Sequence, residues 1–276
     1  MDFDSILDPF KDGHGQIFFR WFHITAGVVW IGLLYFFNWV NSAFAPTMDA
    51  ETKKKVIPEL MPRALFWFRW GAAWTWITGI ILLILMYYIG PHLQNAAAPD
   101  GVDPTAAGSW GMALGGLILG FLVYDILSKK MAGQLWPNLL VWGAVTTAYG
   151  WYLGSSLGFP ARAVIVHCGA MFGTSMAANV WMRIWPAQQR IIAAIKEGNA
   201  PDGADAAMAG LRSKHNTYMS VPLLLFMLCP DQPAVTGVTQ PWLFVAFVMV
   251  VGFLVCHRLY TKAAGVKGFG DDQIKA

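Results

Sequence analysis

The chain has 276 residues, of which 56% are hydrophobic and only 13% are charged. A water-soluble protein of this length needs far more charge to cover its surface, so the composition excludes a soluble globular protein. The net charge of +3 points to no particular partner, and we expect no nucleic acid to bind.

Seven apolar segments are long enough to be predicted as membrane spans. In chain order they cover residues 17–41, 67–89, 109–128, 136–155, 161–185, 213–229 and 241–260. We therefore predict an all-α integral membrane protein, a seven-helix transmembrane bundle that forms a single domain over residues 1–276. Residues 186–212 are predicted to form a helical connector on the cytoplasmic side.

The basic residues predict how the bundle is oriented. All but three of the 19 lysines and arginines fall on one set of loops, and the exceptions are Lys11, Arg20 and Arg162. Because cytoplasmic loops carry the excess of positive charge, the N-terminus is predicted outside and the C-terminus in the cytoplasm. The basic cytoplasmic face suits anionic membrane lipid.

Two histidines, His23 and His167, each lie six residues after the start of a predicted span. Both spans enter from the outside, so both imidazoles are predicted about 9 Å deep in the outer leaflet. Ionisable side chains inside a bilayer usually mark a cofactor or a pathway, and imidazole is the usual ligand of haem iron. We therefore predict that this pair binds haem b. A direct hydrogen bond between the two imidazoles satisfies them without a metal, and that alternative stays open.

Two more histidines, His215 and His257, are predicted at the cytoplasmic face. A pair on each side is expected of a protein that carries electrons across the bilayer between two b-type haems. We therefore expect one haem b or two, with His215 as a further metal ligand. An interfacial role is the commoner explanation for His257, beside Arg258, and for His215 both interpretations stay open. The three cysteines form no CxxCH motif, which excludes a covalent c-type haem.

Small and aromatic residues follow the first two histidines at helical spacing. Gly27 and Trp30 come four and seven residues after His23, and Gly169 comes two residues after His167. Small residues let a porphyrin approach the helix backbone, so these three residues are predicted to line the cofactor. Ordinary packing of small residues between helices is the alternative explanation.

One carboxylate, Asp125, lies inside the third predicted span, one turn before its cytoplasmic end. The simplest prediction is an ion pair with Lys129, four residues later on the same helix face. A functional alternative is that Asp125 orients His215 at the same face, as carboxylates do for metal-binding histidines.

Several stretches that contain the histidines and Asp125 resemble the membrane domain of the bacterial urate oxidase family, also called urate hydroxylase. The matching stretches are residues 20–32, 67–79, 123–125, 167–180, 186–190, 212–222 and 256–258. They follow one another over nearly the whole chain, and those in the fifth and sixth spans are the most specific. The resemblance implies a membrane oxidoreductase of a bacterial inner membrane that oxidises urate to 5-hydroxyisourate and passes electrons to a c-type cytochrome.

The chain departs from the family pattern in three respects. We expect it to work without a fused cytochrome c and to pass electrons to a separate cytochrome c or a membrane electron-transfer complex. Gly71 stands where the family pattern has an acid, and residues 229–233 replace a stretch that contains a histidine. The resemblance leaves the catalytic residues unknown.

A second interpretation comes from a different class of protein. These departures are equally expected of a non-catalytic transmembrane subunit that stabilises a larger respiratory or photosynthetic complex. A visible absorption spectrum separates the two interpretations, because only the first requires a haem. A transporter is not supported, because the sequence contains no repeated halves and no paired broken helices.

Overall fold

The computed structural model describes residues 15–90, 93 and 102–268, and this part of the chain is helical with no strand. The α-helices of four or more residues are α1 (Gly15–Tyr35), α2 (Ala50–Leu83), α3 (Ala107–Lys130), α4 (Leu135–Trp151), α5 (Ala161–Asn179), α6 (Trp185–Glu197), α7 (Gly203–Leu228), α8 (Pro233–Thr236) and α9 (Pro241–Ala264). Four π-helical turns, Phe36–Asn41, Ile84–Tyr88, Tyr152–Ser156 and Val180–Ile184, extend α1, α2, α4 and α5 in that order.

Five helical runs in the described part of the chain are long and apolar enough to cross a membrane. They are Gly15–Thr47, Ala50–Tyr88, Ala107–Lys130, Ala161–Glu197 and Pro241–Ala264. The protein is therefore an all-helical, multi-pass membrane protein. Helices α4 and α7, which contain the fourth and sixth predicted spans, pack in the same bundle without being among these five runs. The count of seven spans and the orientation stay predictions.

The polar residues of α7 explain why hydropathy alone does not select it. His215, Asn216, Thr217 and Ser220 are all fully buried, so they face other helices and not lipid. Polar groups that are buried against neighbouring helices lower the mean hydropathy of a helix, but the helix still packs in the bundle. The helix begins at Asp202, whose carboxylate accepts a hydrogen bond from the N–H of Ala204.

Helix α5 lies at the centre of the bundle. In the helical run that contains α5, 78% of an apolar stretch of 18 residues is buried inside the protein. In the run that contains α1, only 17% of such a stretch is buried. Helix α1 instead exposes large apolar side chains such as Trp21, Ile24 and Val28. A helix that is buried on all sides belongs to the core of a bundle, whereas α1 presents a face to lipid.

Helices α1 and α2 approach each other closely at Gly71. A Cβ atom at this position would lie 3.2 Å from the backbone nitrogen of Trp30 and 3.3 Å from the carbonyl oxygen of Ala26. This spacing is tighter than most Cβ contacts, so a side chain at position 71 would require α1 and α2 to move apart by a few tenths of an ångström.

A larger side chain at Gly71 is expected to destabilise the bundle. In Gly71→Val the new atoms meet backbone, which cannot rotate away, so the loss is about 1–3 kcal/mol. Thermal unfolding in detergent measures the change. The matched control is Gly115→Val, because Gly115 is exposed and a Cβ there meets nothing within 4 Å. An equal loss of stability in both variants would contradict the close approach of α1 and α2.

Candidate functional site

Each histidine of the long helices lies beside a hydroxyl group of another helix. The nitrogen–oxygen distances are 3.2 Å for His23 and Thr78, 2.7 Å for His167 and Tyr88, 2.9 Å for His215 and Tyr124, and 3.2 Å for His257 and Tyr218. His14 and His92 lie outside the described residues. Below, the end of the bundle that carries Tyr88 and Asp231 is called the Asp231 end, and the opposite end is called the Asp125 end.

The hydrogen bonds of His23 fix which ring nitrogen carries its proton. Nδ1 of His23 lies 3.2 Å from the hydroxyl of Thr78, and that hydroxyl donates to the carbonyl of Trp74 at 2.6 Å. The hydroxyl proton is therefore in use, so Nδ1 of His23 donates and Nε2 of the neutral ring keeps its lone pair. Gly79 makes room for the ring, because a Cβ there would lie 2.9 Å from Cε1 of His23.

His167 is fully buried and adopts the same tautomer. Its Nδ1 donates to the carbonyl of Ala163 at 2.7 Å, and because a carbonyl only accepts, Nε2 carries the lone pair. The hydroxyl of Tyr88 then donates to Nε2 at 2.7 Å. The rings of Tyr87 and Phe159 lie edge-on to the imidazole, with centroids 5.8 Å and 5.4 Å away.

The structure gives His23 and His167 separate partners on α2. Both nitrogens of His167 are engaged by Ala163 and Tyr88, and the hydrogen bonds of the described residues include none between the two imidazoles. The alternative of a direct imidazole–imidazole hydrogen bond was therefore wrong. What the pair shares is an Nδ1 that donates and an Nε2 that is left as the basic nitrogen.

The small residues near these histidines make contacts between helices. A Cβ on Gly27 would lie 3.8 Å from Thr75, and a Cβ on Gly169 would lie 3.0 Å from Cβ of Phe226. Close helix packing, the alternative explanation, therefore accounts for Gly169, whereas Gly27 makes only an ordinary contact with α2. Trp30 is buried, and its indole N–H has no acceptor among the described residues.

A cluster of charges lies beside the histidines at the Asp231 end. Asp231 forms ion pairs with Arg162 and, at 3.6 Å, with Arg20. Arg162 also donates to the hydroxyl of Tyr87 at 3.2 Å, and the ring of Tyr87 contacts His167. Asp231 therefore links the first turns of α1 and α5 and is connected to His167 through two intervening side chains, Arg162 and Tyr87.

A larger polar network crosses α3, α5 and α7 at the Asp125 end. Asp125 accepts hydrogen bonds from Arg183 at 2.6 Å and 2.9 Å and from Arg212 at 2.8 Å, and it pairs with Lys129 at 2.8 Å. The predicted pair of Asp125 and Lys129 is confirmed. The two arginines were missed, because both lie far away along the chain and only packing brings them to this carboxylate.

The network continues from Arg212 to His215. Arg212 donates to the side-chain oxygen of Asn179 at 3.2 Å, and the amide nitrogen of Asn179 donates to the hydroxyl of Tyr124 at 2.9 Å. That hydroxyl lies 2.9 Å from Nδ1 of His215. Asp125 therefore reaches His215 through three intervening side chains, and the proposed direct orienting contact is replaced by this relay.

Two buried polar atoms beside Tyr124 have no hydrogen-bond partner among the described residues. They are Nε2 of His215 and Nε1 of Trp142, and both residues are fully buried. The ring of Tyr124 contacts Trp142 at 5.2 Å and His215 at 5.9 Å. Because the hydroxyl of Tyr124 accepts from Asn179 and donates to Nδ1 of His215, Nε2 carries the ring proton, and this unpartnered donor costs about 1–3 kcal/mol.

His257 differs from the other three histidines, because its side chain is exposed. It contacts the hydroxyl of Tyr218 and the ring of Trp136, with ring centroids 5.3 Å apart. Tryptophan and tyrosine are typical of the membrane interface. The interfacial explanation therefore fits His257 better than a role as a haem ligand.

The donor groups fit the iron of a haem better than they fit a bare metal ion. The described residues contain no group of three or more histidine, cysteine or acidic side chains able to hold a metal ion. A haem needs only one or two protein ligands, each a histidine whose Nδ1 is anchored while Nε2 keeps its lone pair. His23 and His167 meet this requirement, whereas the unpartnered Nε2 of His215 carries the ring proton and would first have to pass it to Nδ1.

Removal of the Asp125 carboxylate is expected to destabilise the protein strongly. Asp125→Asn leaves Arg212, whose side chain is only 3% exposed, as an uncompensated buried cation. The cost of breaking such a pair is about 3–5 kcal/mol, measured by thermal or denaturant unfolding. The control is Asp205→Asn, which breaks the exposed pair with Arg190 and should change stability little. Similar losses in both variants would refute the central role of Asp125.

Comparison with known proteins identifies the family of this chain. No curated protein and no solved structure matches the chain. Residues 49–270, which include α2 to α9 and three of the four histidines of the long helices, match the family described as urate oxidase N-terminal. The match covers most of the sequence, so the chain belongs to the urate oxidase N-terminal family.

Proposed function

We propose that this protein is a membrane-integral oxidoreductase that transfers electrons through haem b bound by His23 and His167. The observation that carries the proposal is the tautomer that these two histidines share. In both, Nδ1 donates within the protein, and Nε2 is the basic nitrogen that iron requires. Random placement of interfacial histidines does not require this common arrangement.

The residues around the two histidines hold and tune the imidazoles. The carbonyl of Ala163 and the hydroxyl of Thr78 fix the ring orientations and raise the basicity of each Nε2. When bound, haem b supplies a centre that stores and releases one electron. Tyr88 gives up its hydrogen bond to His167 in that state, because the same lone pair cannot serve a hydroxyl and a metal.

His215 is proposed as the ligand of a second haem at the Asp125 end. Nε2 of His215 has no competing partner among the described residues, and it would bind iron once the ring proton has moved to Nδ1, which lies beside the hydroxyl of Tyr124. A haem site at each end of the bundle gives electrons a path across the bilayer. The proposed direction is from urate, the substrate that the family suggests, to a separate cytochrome c or a membrane electron-transfer complex.

A second candidate function, a non-catalytic transmembrane subunit, is favoured by one observation. Gly169 packs against Phe226, and the rings of Tyr87 and Phe159 surround His167, so this region of the bundle is closely filled. A protein that only stabilises a larger complex needs this packing and no haem. The two candidates predict different absorption spectra.

The purified protein is expected to show a b-type band in a reduced-minus-oxidised spectrum. His167→Ala and His23→Ala should each abolish or strongly reduce the band of the Asp231 end, because each removes a proposed iron ligand. His257→Ala is the matched control and should keep the band, since this histidine is exposed. A colourless protein, purified with haem supplied during expression, would establish the non-catalytic function instead.

The anchor of His23 allows a subtler test. Thr78→Val removes the hydroxyl that accepts from Nδ1 of His23 and is expected to weaken haem binding about 10–100-fold. Thr147→Val removes a hydroxyl that bonds only the carbonyl of Gly143, and haem titration should show no change. If Thr78→Val binds haem as tightly as Thr147→Val does, Thr78 does not orient a ligand.

Urate oxidation is tested in membranes that contain the protein. We expect urate to disappear while added ferric cytochrome c is reduced, a pair of cytochrome molecules for each urate, because forming 5-hydroxyisourate removes two electrons. The His167→Ala variant should lose both signals together. A haem spectrum without urate consumption would retain electron transfer and reject urate as the substrate.

A further inference from the structure

A large cavity opens at the Asp125 end of the bundle, separate from the four histidines. Its volume is about 1100 Å³, and its lining includes the end of α1, the first half of α2, the start of α7 and the end of α9. The histidine–hydroxyl pairs described above contribute no residue to this lining. The proposed haem sites therefore do not account for this cavity.

One wall of the cavity is held in place by hydrogen bonds between three helices. The amide nitrogen of Asn38 donates to the hydroxyl of Ser213 at 2.8 Å, and the hydroxyl of Tyr260 donates to the side-chain oxygen of Asn38 at 2.8 Å. Asn38 belongs to the π-helical turn Phe36–Asn41, and such turns occur frequently at functional sites. The wall is therefore formed without any ligand.

The charge of the cavity has a single sign. Its charged lining residues in the described part of the chain are Lys214 and Lys267, with no carboxylate among them. Arg258 and Lys262 line an adjoining smaller pocket on the last turns of α9. A cavity with several cations and no acid favours an anionic occupant.

Aromatic and aliphatic side chains form the other part of the lining. The ring of Trp39 stacks on Tyr35 with centroids 4.1 Å apart. Phe37, Leu65 and Phe68 form an apolar part of the lining, which a hydrocarbon chain can cover.

We propose that this cavity binds one anionic phospholipid. Lys214 and Lys267 attract the headgroup, and the apolar wall receives the start of an acyl chain. A free phosphate ion leaves the apolar wall uncovered, whereas a phospholipid uses both kinds of surface. The basic end of the bundle also faces the anionic leaflet in the predicted orientation.

The test compares lipids on the delipidated protein in a neutral detergent. Phosphatidylglycerol should raise the unfolding temperature, whereas phosphatidylcholine or inorganic phosphate alone should not. In Lys214→Gln the concentration of phosphatidylglycerol for half-maximal stabilisation should rise about five-fold, the value of one lysine at an anionic surface.

The matched control removes a lysine that does not line the cavity. Lys196 lies in the last turn of α6, and Lys196→Gln should respond to phosphatidylglycerol as the unaltered protein does. Equal weakening in Lys214→Gln and Lys196→Gln would show diffuse attraction between charges and overturn the site. Stabilisation by inorganic phosphate equal to that by phosphatidylglycerol would assign the cavity to a free anion and overturn the lipid.

Discussion

The carboxylate of Asp125 is the contact on which the polar interior of this bundle depends. Hydrocarbon offers no hydrogen bonds, so polar groups on the spans must find partners inside the protein. Asp125 compensates the buried guanidinium of Arg212, which in turn orients Asn179 and, through it, Tyr124 and His215. Removing the first member of this series leaves a buried cation and changes the hydrogen bonds of every later member. The position of His215 therefore depends on the ion pair of Asp125 and Arg212, at the other end of this series of side chains.

The opposite end of the bundle uses the same principle with fewer groups. Asp231 brings Arg20 and Arg162 together, and Arg162 restrains Tyr87 against His167. In both places a single carboxylate ties helices together, and a tyrosine connects the charges to a histidine. The ion pairs at Asp231 are half exposed and weaker, so His167 relies more on the carbonyl of its own helix for its orientation.

Whether an interaction could be predicted depends on how far apart its two residues lie in the sequence. The pair of Asp125 and Lys129 follows from helical spacing alone, whereas Arg183 and Arg212 lie 58 and 87 residues from Asp125. The hydroxyl partners of His23 and His167 are similarly distant and are set by packing. Hydropathy predicted where most helices lie but not their full length, because α2 begins at Ala50, after an Asp49 cap, in a stretch too polar to be identified as a span.

Iron binding would require a rearrangement of hydrogen bonds at both ends. At His167 a metal would displace the hydroxyl of Tyr88 from Nε2 and leave a buried donor that must find another acceptor. At His215 the hydroxyl of Tyr124 accepts from Asn179 and donates to Nδ1, so Nε2 carries a proton that has no acceptor among the described residues. A metal there would relieve an unpartnered group, which costs about 1–3 kcal/mol, but the ring proton would have to move to Nδ1 and the hydroxyl of Tyr124 would lose its acceptor. Depth in the membrane is visible in a sequence, whereas these hydrogen bonds are set by packing, so the sequence could not predict either cost.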